Sequence, residues 1–194
     1  MKREEIRKLI QGPIVAVPTP LDDEFKVNYG KMADLTEWWV ENGLVKGTSV
    51  IKVASAMGEG PQLSDDEWPD LLRTVVQAAN DKAAIVCGIH YKDTKRVTED
   101  AKRAQDLGAI GLQVSPPIFH GLSQDDLLWY YNNLSDAIDI GILIYNTPWM
   151  SGGAIRAETF HKMADFEHVA AIKWSPSEGD EYEDIFKSAH VFNV

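Results

Sequence analysis

Short apolar runs recur along this chain at intervals of roughly 30 residues, the length of a β-α-β unit. They are Pro13–Val17, Thr48–Ala54, Ala83–Cys87, Ile110–Ser115, Gly141–Tyr145 and Val169–Lys173, and His190–Val194 reads as the start of a seventh. Between them lie segments of helical character. The spacing predicts helices over residues 3–10 and over Tyr29–Asn42, where Met32, Leu35, Trp38 and Trp39 recur at helical intervals before Gly43. A capping box, Ser64 with Glu67, opens another that runs to about Asn80. Thr94–Leu107, Ser123–Ile138, about Arg156–Ala164 and about Glu181–Ser188 complete the series. Strands that alternate with helices at this interval give an α/β protein with a parallel sheet.

Two architectures satisfy that alternation. A doubly wound nucleotide-binding sheet requires a glycine-rich phosphate turn after its first strand, and here that turn is Pro18-Thr-Pro-Leu-Asp22. A (β/α)8 TIM barrel instead places its reactive side chains at strand C-termini. Tyr145 and Lys173 end two successive apolar runs, so the barrel is the expected fold, as a single domain over residues 1–194. With about seven strands the barrel is incomplete, and the chain is expected to be a C-terminally truncated form of a longer one. Unpaired strand edges then favour aggregation or association over a stable monomer.

Composition narrows the partners. A net charge of −11 argues against nucleic acid and anionic membrane surfaces. No apolar stretch approaches the roughly 20 residues of a membrane span, and Met1-Lys-Arg-Glu-Glu5 lacks the apolar region of a signal peptide, so the expected location is cytoplasmic. Cys87, the single cysteine, lies in an apolar run and reads as a buried structural thiol.

Lysine is rarely buried, so one that ends an apolar strand requires a reason. An apolar site supplies the neutral amine that attacks a carbonyl. Strand alternation places Val169, Ala171 and Lys173 on one face, with Ala170 and Ile172 on the other. Neighbouring parallel strands lie about 5 Å apart, which sets Tyr145 beside Lys173 at one rim. Lys52 is the rival amine. If Ser55 faces the barrel interior, Lys52 faces the helices and snorkels out between them. His90 and His120 read as solvated loop residues, and their spacing matches no metal site. Glu59 reads as a turn or capping group, and Trp129-Tyr-Tyr131 as helix packing or a subunit interface.

Several of these residues, taken together, are similar to one family. Val15-Ala-Val-Pro-Thr-Pro20, Gly58-Glu59 followed by Leu63-Ser64 and Glu67, Tyr145-Asn-Thr-Pro148 and Ala171-Ile-Lys173 occur in the order of its motifs. The chain resembles the dihydrodipicolinate synthase / N-acetylneuraminate lyase family of Schiff-base aldolases and lyases. The resemblance implies a TIM barrel in which Lys173 forms an imine with a small 2-oxo acid such as pyruvate and Tyr145 moves protons. It implies no metal and no cofactor, and a homo-oligomeric assembly. The substrate carboxylate would be received at Ser55, Ala56 and Met57.

The departures narrow the reaction. Ala56 and Met57 stand where the family often carries two threonines, so contact there falls to backbone N–H groups or Ser55. Pro117-Ile118 replaces a Tyr-Tyr pair, and Trp149-Met150 stands near the position of an arginine. These losses argue against dihydrodipicolinate synthesis itself and leave the generic imine machinery, for aldol cleavage or condensation, dehydration or deamination. Two other readings stand beside it, a non-catalytic family relative or assembly subunit and a pyridoxal-phosphate-dependent barrel enzyme.

Overall fold

The computed structural model describes residues 1–117, 121–147, 154–175 and 183–194. Six parallel strands pair in sequence order: β1 (Ile14–Ala16), β2 (Val50–Val53), β3 (Ala84–Ile89), β4 (Gly111–Val114), β5 (Gly141–Asn146) and β6 (Val169–Trp174). A doubly wound sheet reverses its strand order at a switch point. This one does not, and the curled sheet with its outer helices is an incomplete TIM barrel. The expected seventh strand is reduced to one parallel bridge, between Ala171 and Asn193.

The helices are α1 (Arg3–Leu9), α2 (Tyr29–Glu41), α3 (Glu67–Ala79), α4 (Thr94–Asp106), α5 (Gln124–Ala137), α6 (Ala157–Lys162) and α7 (Glu183–Phe186). Local chemistry sets several of their starts. Asn28, Asp93 and Ser123 each accept a backbone N–H of the first turn that follows. Ser64 and Glu67 exchange the two reciprocal hydrogen bonds of a capping box, although regular helix begins only at Glu67. Among the described residues no helix is long and apolar enough to cross a membrane.

Strand alternation sorts the apolar residues into two layers. The outer layer joins Ile51, Val53, Ile85, Leu112, Val114 and Ile144 to helix residues such as Leu71, Leu72, Leu134 and Phe160. Each fully buried Leu, Ile or Phe there contributes about 1.5–3 kcal/mol. Cys87 belongs to this layer, and burial raises its thiol to about 12, as a structural cysteine requires. The inner layer is smaller and joins Val50, Ala84, Val86, Leu143 and Ala171 to Ile6 and Ile10 of α1 and its C-terminal end.

Thus α1 closes the floor of the curled sheet. A Cβ added at Gly141 would stand 2.4 Å from Ile6 Cγ2, so a side chain there would push the helix away. Arg3 donates to the carbonyls of Val169 and Phe166, and Arg7 to those of Ala189 and His190. Asn193 completes the clamp. Its backbone bridges β6, while its Nδ2 donates to the carbonyls of Arg7 (3.0 Å) and Ile10 (2.7 Å) and its Oδ1 accepts from Arg7 Nε (3.0 Å). Losing these partly buried bonds in Asn193→Ala is expected to lower the unfolding free energy by about 1–3 kcal/mol. Urea denaturation measures it, and a change of only a few tenths would mean that the floor does not depend on this clamp.

Candidate active site

β5 and β6 pair with Tyr145 directly opposite Lys173, as the two apolar runs predict. The Lys173 amine lies over the Tyr145 ring, 4.4 Å from its centroid, and donates to Ser175 Oγ at 2.7 Å and Thr147 Oγ1 at 3.4 Å. A cation over an aromatic face is attracted by the ring quadrupole, which orients the amine without a carboxylate. Asn146 fixes the strand end beneath it. Its side-chain amide exchanges two hydrogen bonds with the backbone of buried Ile155, standing in for a peptide group.

The alternation expected for β6 holds only in part. A register irregularity between Ile142 and Leu143 pairs Ile142 with Val169 and Leu143 with Ala171, skipping Ala170. Val169 therefore belongs to the outer layer, while Ala170 joins Ala171 in the inner one. Ala171 still lines the cavity with Lys173.

Lys52 overturns a second expectation. It faces the barrel interior, not the helices, and its Nζ donates to Gln113 Oε1 at 2.7 Å. Ala54 adopts φ 50°, a left-handed conformation, so the strand alternation breaks between Lys52 and Ser55. Counting back from Ser55 therefore gave the wrong face. Burial, with the like charge of Lys173 added, lowers the Lys52 amine to about 8. Lys52, Gln113, Leu143, Ala171, Lys173 and Ile14 line one cavity of about 740 Å3 on the inner face.

The turn after β2 is built by close backbone approach. A Cβ at Gly58 would stand 2.2 Å from the Val17 carbonyl oxygen, and Thr19 Oγ1 donates to the Gly58 carbonyl at 2.7 Å. Within that turn Ser55 is fully buried and its hydroxyl has no hydrogen-bond partner among the described residues, whereas Met57 is 82% exposed. Neither Ser55, Ala56 nor Met57 lines the cavity that holds the two lysines.

His90 is buried, not solvated. Its ring packs edge-on against Tyr145, with centroids 5.7 Å apart, and its Nδ1 lies 3.3 Å from Ser115 Oγ. Burial, with the charge of Lys52 added, lowers the imidazole to about 4, so it is neutral near pH 7. Gly88 makes room for the ring. A Cβ there would meet His90 Nε2 at 2.8 Å and the Ala54 carbonyl oxygen at 2.3 Å. Because the carbonyl is backbone, Gly88→Ala is expected to cost about 1–3 kcal/mol, the usual range for overpacking. Thermal unfolding tests it, and an unchanged Tm would mean that the two strand ends move apart freely.

Gln113, Ser115, Thr147 and Ser175 were not singled out from the sequence. Gln113 carried a signal, a long polar side chain inside the apolar run Gly111–Val114, and strand alternation would have turned it inward. Trp129 is exposed while Tyr130 and Tyr131 are buried, so packing explains two of that aromatic run. Ile118, His120, Pro148, Trp149 and Met150 lie outside the described residues.

A profile of the dihydrodipicolinate synthetase family matches residues 9–191. The chain belongs to that family. It is 31% identical over 165 residues to 4-hydroxy-tetrahydrodipicolinate synthase from Chlorobium chlorochromatii (strain CaD3), covering 84% of this chain and 54% of that protein. The dihydrodipicolinate synthase structure from Aquifex aeolicus superposes with a TM-score of 0.84 at 29% identity, over 92% of this chain and 59% of that one. The chloride-inhibited enzyme from Acinetobacter baumannii, complexed with pyruvate, gives a TM-score of 0.79 at 28% identity, over 84% and 55%. This dihydrodipicolinate synthetase family chain thus spans about half the length of the curated relatives it matches.

Proposed function

We propose that the protein is a lyase acting on a small 2-oxo acid through an imine at Lys173. One observation carries the reading: a lysine amine near the C-terminal end of β6, lining the inner cavity and lying over the face of the tyrosine directly opposite. Barrel enzymes place reactive groups at these strand ends. The pyruvate complex of the relative from Acinetobacter baumannii supports a 2-oxo acid as the electrophile.

The deprotonated Lys173 amine attacks the ketone carbon, and the carbinolamine loses water to give a protonated imine. That imine accepts the electron pair when a proton or a carbon fragment leaves the adjacent carbon, forming an enamine. Tyr145 supplies and removes the protons of these steps. His90 and the register pairing hold the ring, and Thr147 and Ser175 hold the amine. Ser55 with the backbone of Ala56 and Met57 remains a candidate contact for a substrate carboxylate. The absence of threonine hydroxyls there argues for a reaction other than dihydrodipicolinate formation. We read the protein as cytoplasmic and as homo-oligomeric; sedimentation tests the assembly.

The deciding experiment is reduction with borohydride in the presence of pyruvate, followed by peptide mapping. A mass gain on the peptide that carries Lys173 is expected. Modification of Lys52 instead would transfer the role to that amine, and no adduct with any 2-oxo acid would leave a non-catalytic family member.

A further inference from the structure

Two amines face one cavity, and no aspartate or glutamate side chain is among its lining residues. Neither Lys52 nor Lys173 has a carboxylate partner among the described residues, in a chain whose net charge is −11. Lysine is almost never fully buried without a partner. The Lys52 side chain is nonetheless buried, and its one hydrogen-bond partner among the described residues, Gln113, is neutral. A neutral amide satisfies one N–H of an ammonium and leaves its charge uncompensated. Because that amine is lowered only to about 8, it still carries its charge for most molecules near pH 7.

Register places the pair relative to Lys173. Gln113 sits opposite Leu143, which sits opposite Ala171, two residues before Lys173 on the same inner face. The Lys52 amine is thus held at the level of Ala171, below the strand end where Lys173 bonds Thr147 and Ser175. Meanwhile the turn after β2 offers no threonine hydroxyls, and its Met57 side chain points to solvent.

We propose that Lys52 and Gln113 form an anion-recognition subsite beneath Lys173, which receives a carboxylate of the 2-oxo acid. The pair rests on the reading of Lys173 as the imine-forming amine and deepens it, by assigning substrate recognition to the barrel wall. Lys52 supplies the charge, and the Gln113 amide holds the amine in place and carries N–H donors of its own. A carboxylate bound there pairs with the Lys52 charge.

Calorimetric titration of the 194-residue protein with oxamate and with glutarate tests this without any covalent step. Oxamate presents a carboxylate beside an amide carbonyl that does not form an imine, and glutarate presents carboxylates without one. The wild type is expected to bind at least one. Lys52→Met, which keeps the apolar stem, is expected to weaken that binding roughly 10-fold or more, the scale of a lost charge-assisted hydrogen bond. Gln113→Glu keeps the shape of the wall but sets a carboxylate beside the amine, and is expected to weaken binding likewise. Preference for oxamate assigns the subsite to the carboxylate next to the ketone, and preference for glutarate to a distal one. Equal affinity in the wild type and both variants, or binding of neither ligand to the wild type, overturns the proposal. Borohydride trapping at Lys173 tests the underlying reading separately, so either can fail alone.

Discussion

Replacing Lys173 by arginine is expected to abolish the pyruvate adduct and all turnover while leaving the fold intact. A guanidinium stays protonated at any accessible pH and has no lone pair to add to a ketone. It does keep a positive charge and N–H donors for Ser175 and Thr147, and it stacks on an aromatic ring at least as well as an ammonium. The thermal midpoint should therefore stay near that of the wild type, so that a missing adduct reports chemistry and not unfolding. An adduct of undiminished yield in Lys173→Arg would end the assignment, and its mapped position would say whether Lys52 had carried the imine.

Tyr145→Phe is expected to separate imine formation from turnover. The ring that lies beneath the Lys173 amine and against His90 is retained, so the amine keeps its position. What is lost is the phenol, and with it proton transfer in the later steps, a loss of roughly 10²-fold or more. Single-turnover trapping should still give an adduct, while steady-state kcat falls and KM moves little. A kcat equal to that of the wild type would reduce Tyr145 to a packing residue.

Most of this architecture was legible before any coordinates, because each strand is short, apolar and bounded by turn residues. The pairing of Tyr145 with Lys173 followed from one helix-length crossover between two parallel runs. The faces of β2 and β6 were not legible, for one physical reason. Reading a face from a sequence assumes unbroken alternation, and a single left-handed residue at Ala54 or one skipped pair at Ala170 resets it. His90 was misread for a related reason. A histidine that follows a strand reads as a loop residue, and here the missing side chain of Gly88 leaves the room that the buried ring occupies.

The clamp that Asn193 makes on the first helix also sets a timetable. Arg7 and Asn193 are separated by 186 positions, so α1 leaves the ribosome long before the residue that fastens it. At about 5–20 residues per second the helix waits roughly 10–40 s for that partner. Throughout that interval Ile6 and Ile10 have only part of the surface they finally cover, since Leu143, Ala170 and Ala171 emerge late as well. α1 is therefore fastened late, and until then its one apolar stripe, with Ile6 at the centre, stays partly uncovered on an otherwise charged helix. In vitro refolding should show α1 gaining protection from hydrogen exchange in the slowest phase.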